Sequence, residues 1–110
     1  MSDEAAAEST SSTAKSLDEL RPGDFQPLVG ERFTVVLNEG DFGLELVDVR
    51  VMRSHRRREE PFALLFRGPR QPVLPQRIYT VAHAKTGGLV IFLVPVQGTA
   101  DSVEYEAVFN

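Results

Sequence analysis

The sequence Val103-Glu-Tyr-Glu-Ala-Val-Phe-Asn110 decides the fold class. Apolar residues occupy the odd-numbered positions from 103 to 109, and Glu104 and Glu106 occupy two of the positions between them. A period of two is typical of a half-buried strand, because successive side chains of a strand point to opposite faces of a sheet. We therefore expect a final β-strand that pairs either inside the domain or with the exposed edge of a partner.

Five earlier segments also have the pattern of β-strands, with turn-forming residues between them. They lie at residues 33–37, 44–51, 62–67, 78–83 and 89–96. Six strands at fairly even spacing, joined by short connections, favour antiparallel neighbours. The sequence predicts an all-β fold, a compact antiparallel β-barrel or sandwich of about six strands.

Details of the pattern predict where the strands are interrupted. The parity of the apolar residues shifts near Leu46, which indicates a β-bulge or a short stretch buried on both faces. Pro95 indicates a strand end or an edge strand, because proline donates no backbone hydrogen bond. We interpret Asn38–Gly43 as a hairpin loop and Gly68-Pro69 as the end of the third strand.

The N-terminal part of the chain differs in character from the rest. Residues 1–20 form an acidic leader rich in Ser, Thr and Ala, which we expect to be disordered, and residues 21–110 form a single domain. A short helix is expected at the start of the domain, with Asp24 as its N-cap and Gly30 as its C-terminal stop, plugging one end of the sheet structure. Its apolar face would comprise Phe25, Leu28 and Val29.

The charges are unevenly distributed. Residues 1–30 hold six acidic and two basic residues, whereas residues 31–110 hold ten of each, so the leader region accounts for the whole net charge of −4. A neutral body argues against general nucleic-acid binding, which usually requires a basic excess. The chain start lacks the features of a secretory signal, and its longest apolar run, residues 89–96, is far shorter than the ~20 residues of a membrane span. We expect no membrane contact and a cytoplasmic protein.

A polar loop at residues 53–60 is rich in arginine, with Arg53, Arg56, Arg57 and Arg58. Arginines in a loop are able to grip phosphate or an acidic partner through bidentate hydrogen bonds. The competing interpretation is a solvated loop that the neighbouring glutamates and the acidic leader partly neutralise. Because no aromatic residue interleaves with the arginines to stack bases, the solvated loop is the favoured interpretation.

The residues that carry enzyme chemistry are scarce. The chain has no cysteine, which excludes thiol chemistry and disulfides, and its two histidines, His55 and His83, lack further ligands at zinc-site spacing. We interpret His83 as a structural residue whose ring nitrogens have partners. Glu104 and Glu106 lie about 7 Å apart along one strand face, but they are expected to face solvent. We predict no catalytic, cofactor-binding or metal-binding residue and no enzyme activity.

Four motifs resemble those of a family of small bacterial single-domain β proteins of unknown function, over about residues 24–110. They are Phe25-x-x-Leu28-x-Gly30-x-x-Phe33, Pro61-Phe-Ala-Leu-Leu-Phe-Arg-Gly-Pro69, Leu74-Pro-Gln-x-x-Tyr79 and Tyr105-Glu-Ala-Val-Phe-Asn110. The resemblance implies a compact β-barrel or sandwich. It also implies a role beside proteins with a phage-tail-collar-like domain, and it implies no catalytic or ligand residues.

The third motif has two interpretations. In the first, the Tyr79 hydroxyl is bound to the backbone of the preceding loop and fixes a corner of the fold. In the second, Arg67, Gln76 and Tyr79 line a binding surface for a partner or an anion. The structural interpretation is the favoured one.

Together these observations predict a non-enzymatic β module that acts through protein–protein contacts, as an accessory or assembly factor of a tail-collar-like protein. An unpaired edge on the last strand would serve such a contact, because an exposed edge is a template for another strand. The alternative is a β-barrel that binds a small apolar ligand in its interior.

Overall fold

Six antiparallel strands close into a barrel in the computed structural model, which describes residues 19–52 and 61–109. The strands are β1 (Arg32–Leu37), β2 (Gly40–Val51), β3 (Phe62–Pro69), β4 (Arg77–His83), β5 (Gly87–Gly98) and β6 (Ser102–Phe109). A one-turn helix α1 (Pro22–Phe25) and a 3-10 turn (Gln26–Leu28) precede them. The predicted all-β fold with a short N-terminal helix is confirmed, and of the two predicted architectures the barrel is the correct one. The predictions for the leader up to residue 18 and for the loop at 53–60 lie outside the described residues.

The strand order around the barrel is β1-β2-β3-β6-β5-β4. Two meanders, β1–β2–β3 and β4–β5–β6, are each built from consecutive antiparallel hairpins. The barrel closes where β3 pairs with β6 and where β1 pairs with β4. An irregular connection at residues 70–76, which contains a cis peptide bond before Pro72, leads from the first meander to the second.

The last strand is paired on both sides. All eight residues of β6 pair with β3, from Phe62 opposite Phe109 to Pro69 opposite Ser102. On its other side, β6 pairs with the second half of β5. The last strand is therefore integrated into the barrel, and the expectation of an unpaired edge along it is wrong, since the barrel closes through this strand.

Two bulges bend the long strands. The register between β2 and β3 shifts between Leu46 and Asp48, which confirms the predicted bulge and leaves Val47 as the extra residue. A second shift lies between Pro95 and Gln97 on β5. Pro95 thus lies inside a strand, and its prediction as a strand end or edge is corrected: proline is tolerated beside a bulge, where the ladder is already interrupted.

The helix begins earlier than predicted. Arg21 is its N-cap and Pro22 its first residue, whereas Asp24 accepts a hydrogen bond from the Arg21 backbone N–H at 2.9 Å. Proline suits the first helical position because the N–H that it lacks would have no helical partner there. Gly30, with φ of +94°, ends the segment as predicted. Val29 is half-exposed, because the chain is already extended at that residue.

The turns are tighter than the sequence suggested. The first hairpin turns over two residues, since Leu37 already pairs with Gly40, whose φ is +134°. The predicted loop at 38–43 is therefore mostly strand. Gly68 and Pro69 also lie within β3 and pair with β6, because a proline at the last position of a strand costs the sheet little.

Aromatic side chains pack together inside the barrel. Phe25 of α1 packs against Phe62 and Phe109, with ring centroids 5.8 and 5.9 Å away, so the helix plugs one end as expected. Phe33 and Phe66 meet edge to face at 5.3 Å farther along the barrel. Within residues 19–52 and 61–109, twenty buried residues form one continuous core around these rings.

Candidate protein-binding face

Eight outward-facing residues on β1, β4 and β5, none of them charged, form a surface that we call the uncharged face. Its members lie in three cross-strand rows. The rows are Thr34–Ala82–Gly88, Val36–Thr80–Val90 and Ile78–Phe92. The alternation of strands places these residues outside the barrel while their neighbours in sequence, such as Val35 and Val81, fill the core.

Large apolar side chains dominate the centre of the uncharged face. Val36, Ile78, Val90 and Phe92 have between 49 and 61 % of their surface exposed. Val108 of β6, which is also half-exposed, lies beyond Phe92 along the barrel wall. Their exposed apolar area is on the order of 400 Å², comparable to the largest patches on monomeric proteins, which often have a function.

The opposite wall of the barrel is highly charged. Arg32, Glu45, Arg67 and Glu104 follow one another across β1, β2, β3 and β6 as directly paired residues of alternating sign. Arg67 reaches Glu104 at 3.3 Å. A charged wall remains hydrated, so the uncharged face differs in character from the rest of the described surface and is the candidate binding face.

The three predicted contact residues in the described part of the chain are not brought together. Arg67 lies on the charged wall, and Gln76 is exposed at the end of the connection between the meanders. Tyr79 points into the barrel and is 6 % exposed. Two strands separate Arg67 on β3 from Tyr79 on β4. Arg53 and Arg56–Arg58 lie outside the described residues.

Tyr79 has the structural role that the sequence favoured. Its hydroxyl donates a hydrogen bond to the Pro75 carbonyl oxygen at 2.6 Å. Burial raises the pKa of this hydroxyl above 10.0, and Arg77 partly opposes the shift. The hydroxyl of Tyr105 acts in the same region, accepting a hydrogen bond from the buried Leu74 N–H at 2.9 Å. The two tyrosines together fix the connection between the meanders.

His83 also has partners on both ring nitrogens. Its Nε2 lies 2.7 Å from Glu31 Oε1, and its Nδ1 accepts a hydrogen bond from the Lys85 backbone N–H at 2.9 Å. Because Nδ1 is the acceptor, Nε2 carries the hydrogen and donates it to the carboxylate. The ring packs against Phe33 at 4.7 Å. The structural interpretation of His83 is confirmed, whereas His55 lies outside the described residues.

Two depressions lie at the surface of the described residues, while the apolar side chains of the core lie inside the barrel. A shallow depression of about 230 Å³ lies between Arg32 and Arg67, and a second of about 260 Å³ lies beside Arg70 and Val73; both open to solvent. Within residues 19–52 and 61–109, no three His, Asp or Glu side chains are grouped closely enough to hold a metal ion. The same residues include no helix with the length and apolar character of a membrane span.

The sequence interpretation missed the uncharged face, although a signal for it was present. The segments at 78–82 and 89–94 are apolar at nearly every position. Such continuous runs usually indicate strands buried on both faces. Here one face packs in the core and the other is exposed, so the same pattern indicates an apolar outer surface.

A comparison with models of known protein families found a match that spans the described barrel. A family model described as Domain of unknown function (DUF6916) matches residues 20–109, which include the helix and all six strands. Searches of curated proteins and of solved structures returned no significant match. With nearly the whole described barrel covered by that one match, the chain belongs to the DUF6916 family of domains of unknown function.

Proposed function

We propose that this protein is a non-enzymatic β module that binds another protein through the uncharged face. The observation that carries this proposal is a cluster of eight uncharged outward positions on three adjacent strands, with Val36, Ile78, Val90 and Phe92 half-exposed at its centre. Apolar area of this kind is removed from water when a partner binds, at about 25 cal/mol per Å² before the costs of association. An apolar, charge-depleted patch is the usual centre of a protein interface.

Three described side chains of types that enzymes often use support the non-enzymatic part of this proposal. The hydroxyls of Tyr79 and Tyr105 hold the connection between the meanders, and the ring of His83 is fixed by Glu31 and Lys85. These groups therefore serve the fold.

The finer proposal names the kind of partner. The resemblance to small bacterial β proteins favours an accessory or assembly role beside a phage-tail-like, tail-collar protein. Assembly factors dock on apolar surfaces that the final structure covers, and the uncharged face offers such a surface. Co-expression of a tail-collar protein encoded beside this one, followed by co-purification, tests this assignment; separate elution of the two proteins contradicts it.

The general proposal is tested by placing a charge on the face. The immobilised protein is used to capture partners from a lysate of its own source, in parallel with the variants Ile78→Lys and Phe92→Lys. Val73→Lys is the matched control, because Val73 is equally exposed but lies on the connection between the meanders. We expect the two face variants to lose proteins that the wild type and the control retain. Equal capture by all four proteins would refute the proposal.

A further inference from the structure

A depression opens on the charged wall at the point where β2 and β3 part. The pairing of these two strands ends at Glu45 opposite Arg67. The next residues of β3, Gly68 and Pro69, pair with β6, and proline has no N–H with which to extend the ladder towards β2. Both strands line the depression of about 230 Å³ at this point, together with Arg32 of β1. None of the lining residues belongs to the uncharged face, so a ligand here goes beyond the proposed function.

Arg32 brings an unpaired guanidinium to the depression. Its side chain crosses diagonally to Gly43 rather than to Glu45, which lies directly opposite. A Cβ on Gly43 would collide with Arg32 Nη1 and would lie 3.4 and 3.5 Å from Cδ and Cζ, so the bare glycine is what makes room for the guanidinium. Among the described residues, none forms a hydrogen bond or an ion pair with it. The N–H donors of Arg32 are therefore available to a ligand.

Arg67 is the second cation at the depression, and its ion pair is weak. Its Nη2 lies 3.3 Å from Glu104 Oε2, and its side chain is 48 % exposed. Exposed ion pairs contribute little to stability, so a more highly charged ligand is able to displace this one. Arg32 and Arg67 lie in one outward row, two strands apart, with Cα atoms about 10 Å from each other by the spacing of strands. Two arginine side chains are long enough to meet across that distance.

Glu45 narrows the choice of anion. It lies between the two arginines in the row, yet its carboxylate forms an ion pair with neither guanidinium. A carboxylate ligand would offer only the single charge and the two oxygens that Glu45 already offers. A phosphate monoester carries nearly two negative charges near neutral pH and has three acceptor oxygens. Such a group bridges two guanidiniums and outweighs the repulsion from Glu45.

We propose that this depression binds a small phosphate monoester, with Arg32 and Arg67 each donating hydrogen bonds to the phosphate oxygens. The volume limits the rest of the ligand, because about 230 Å³ is less than the range of about 300–1,000 Å³ that is usual for pockets of drug-sized ligands. Pro69 lines the depression and provides apolar surface for a few carbon atoms beside the phosphate.

Titration of the isotope-labelled full chain with sodium phosphate, at constant ionic strength and pH, tests the proposal by NMR. The backbone amide signals of Gly43, Glu45 and Gly68 are expected to shift and to saturate, with a Kd in the millimolar range. Sodium acetate should produce no saturable shift, and glycerol phosphate should bind at least as tightly as inorganic phosphate. The absence of saturation with phosphate would overturn the proposal, as would equal binding of acetate or weaker binding of glycerol phosphate.

Charge variants locate the binding. Arg32→Gln should weaken phosphate binding about tenfold, since a charge-assisted hydrogen bond is lost. Arg77→Gln is the matched control, because it removes the same charge from the start of β4, outside the depression. Glu45→Gln should strengthen binding, because it removes the repulsion. Equal weakening by Arg32→Gln and Arg77→Gln would mean that phosphate responds only to net charge, and the proposal would be wrong.

Gly43→Ala tests the geometry without a change of charge. The added methyl group meets the flexible end of Arg32, which is able to move, so the barrel is expected to fold with its amide spectrum otherwise preserved. Phosphate binding should weaken, because the guanidinium no longer lies against β2. Unchanged affinity in this variant would overturn the role of Arg32 at the depression.

Discussion

Replacing Tyr105 by Phe should measure how strongly the connection between the meanders is held. Tyr105 is fully buried, and its hydroxyl accepts the N–H of Leu74, which is itself only 5 % exposed. Phe preserves the ring but removes the acceptor, so a buried N–H loses its partner. Leaving such a group unsatisfied costs about 1–3 kcal/mol in the free energy of unfolding.

Tyr79→Phe is the matched comparison. This variant also removes one tyrosine hydroxyl, but the partner is the carbonyl of Pro75, an exposed residue that water is able to reach. We expect a smaller loss, about 0.5–1.5 kcal/mol, because water replaces the lost donor. The difference in stability loss between the two variants therefore depends on how deeply the remaining partner is buried, the Leu74 N–H in one case and the Pro75 carbonyl in the other.

Urea denaturation followed by circular dichroism measures both losses. The midpoint should fall with an unchanged m-value, since neither variant alters the surface exposed on unfolding. For a domain of this size, each 1 kcal/mol corresponds to about 4–8 °C in Tm. A Tyr105→Phe protein as stable as the wild type, or less affected than Tyr79→Phe, would refute the reasoning.

Three further predictions concern pH, packing and the arginine loop. Because folding raises the pKa of Tyr79, this residue contributes its full stability below the unfolded pKa of about 10, and the contribution is lost as the pH rises through the folded pKa. In urea titrations between about pH 9 and 11, the wild type should therefore lose stability more steeply than Tyr79→Phe. Gly68→Ala should lower the free energy of unfolding, followed in thermal melts, by about 1–3 kcal/mol, because the added Cβ would lie 2.6 Å from Leu44 Cδ2. Gly23→Ala is the control, because the space around Gly23 is open. Arg56→Ser combined with Arg57→Ser and Arg58→Ser should leave heparin retention unchanged if the loop is only solvated, and reduced retention would favour an anion-binding loop.

The sequence predicted the parts of the fold that depend on local alternation. The period of two in β6 and the parity shift at Leu46 both follow from side chains that alternate across one wall of a barrel. The tyrosine corner at Tyr79 was predictable because a buried hydroxyl needs a partner close along the chain. These features depend on few residues, which lie near one another in sequence.

Other features depend on contacts between distant parts of the chain. Whether a sheet closes as a barrel or stacks as a sandwich depends on the pairing of β1 with β4 and of β3 with β6, which local patterns do not specify. The uncharged face was missed for the same reason. Ile78 and Phe92 become neighbours only when β4 and β5 pair, and their exposure depends on what lies outside the barrel.

The way the barrel closes has a consequence for synthesis on the ribosome. The first meander emerges with β3 unpaired along one side and β1 along the other, and each waits for a strand from the second meander. Its apolar interior, including Phe33 and Phe66, therefore remains open until β6 has been translated. Such nascent intermediates expose strand edges and attract chaperones or neighbouring chains. Productive folding is therefore expected to be limited by the docking of β6 between β3 and β5.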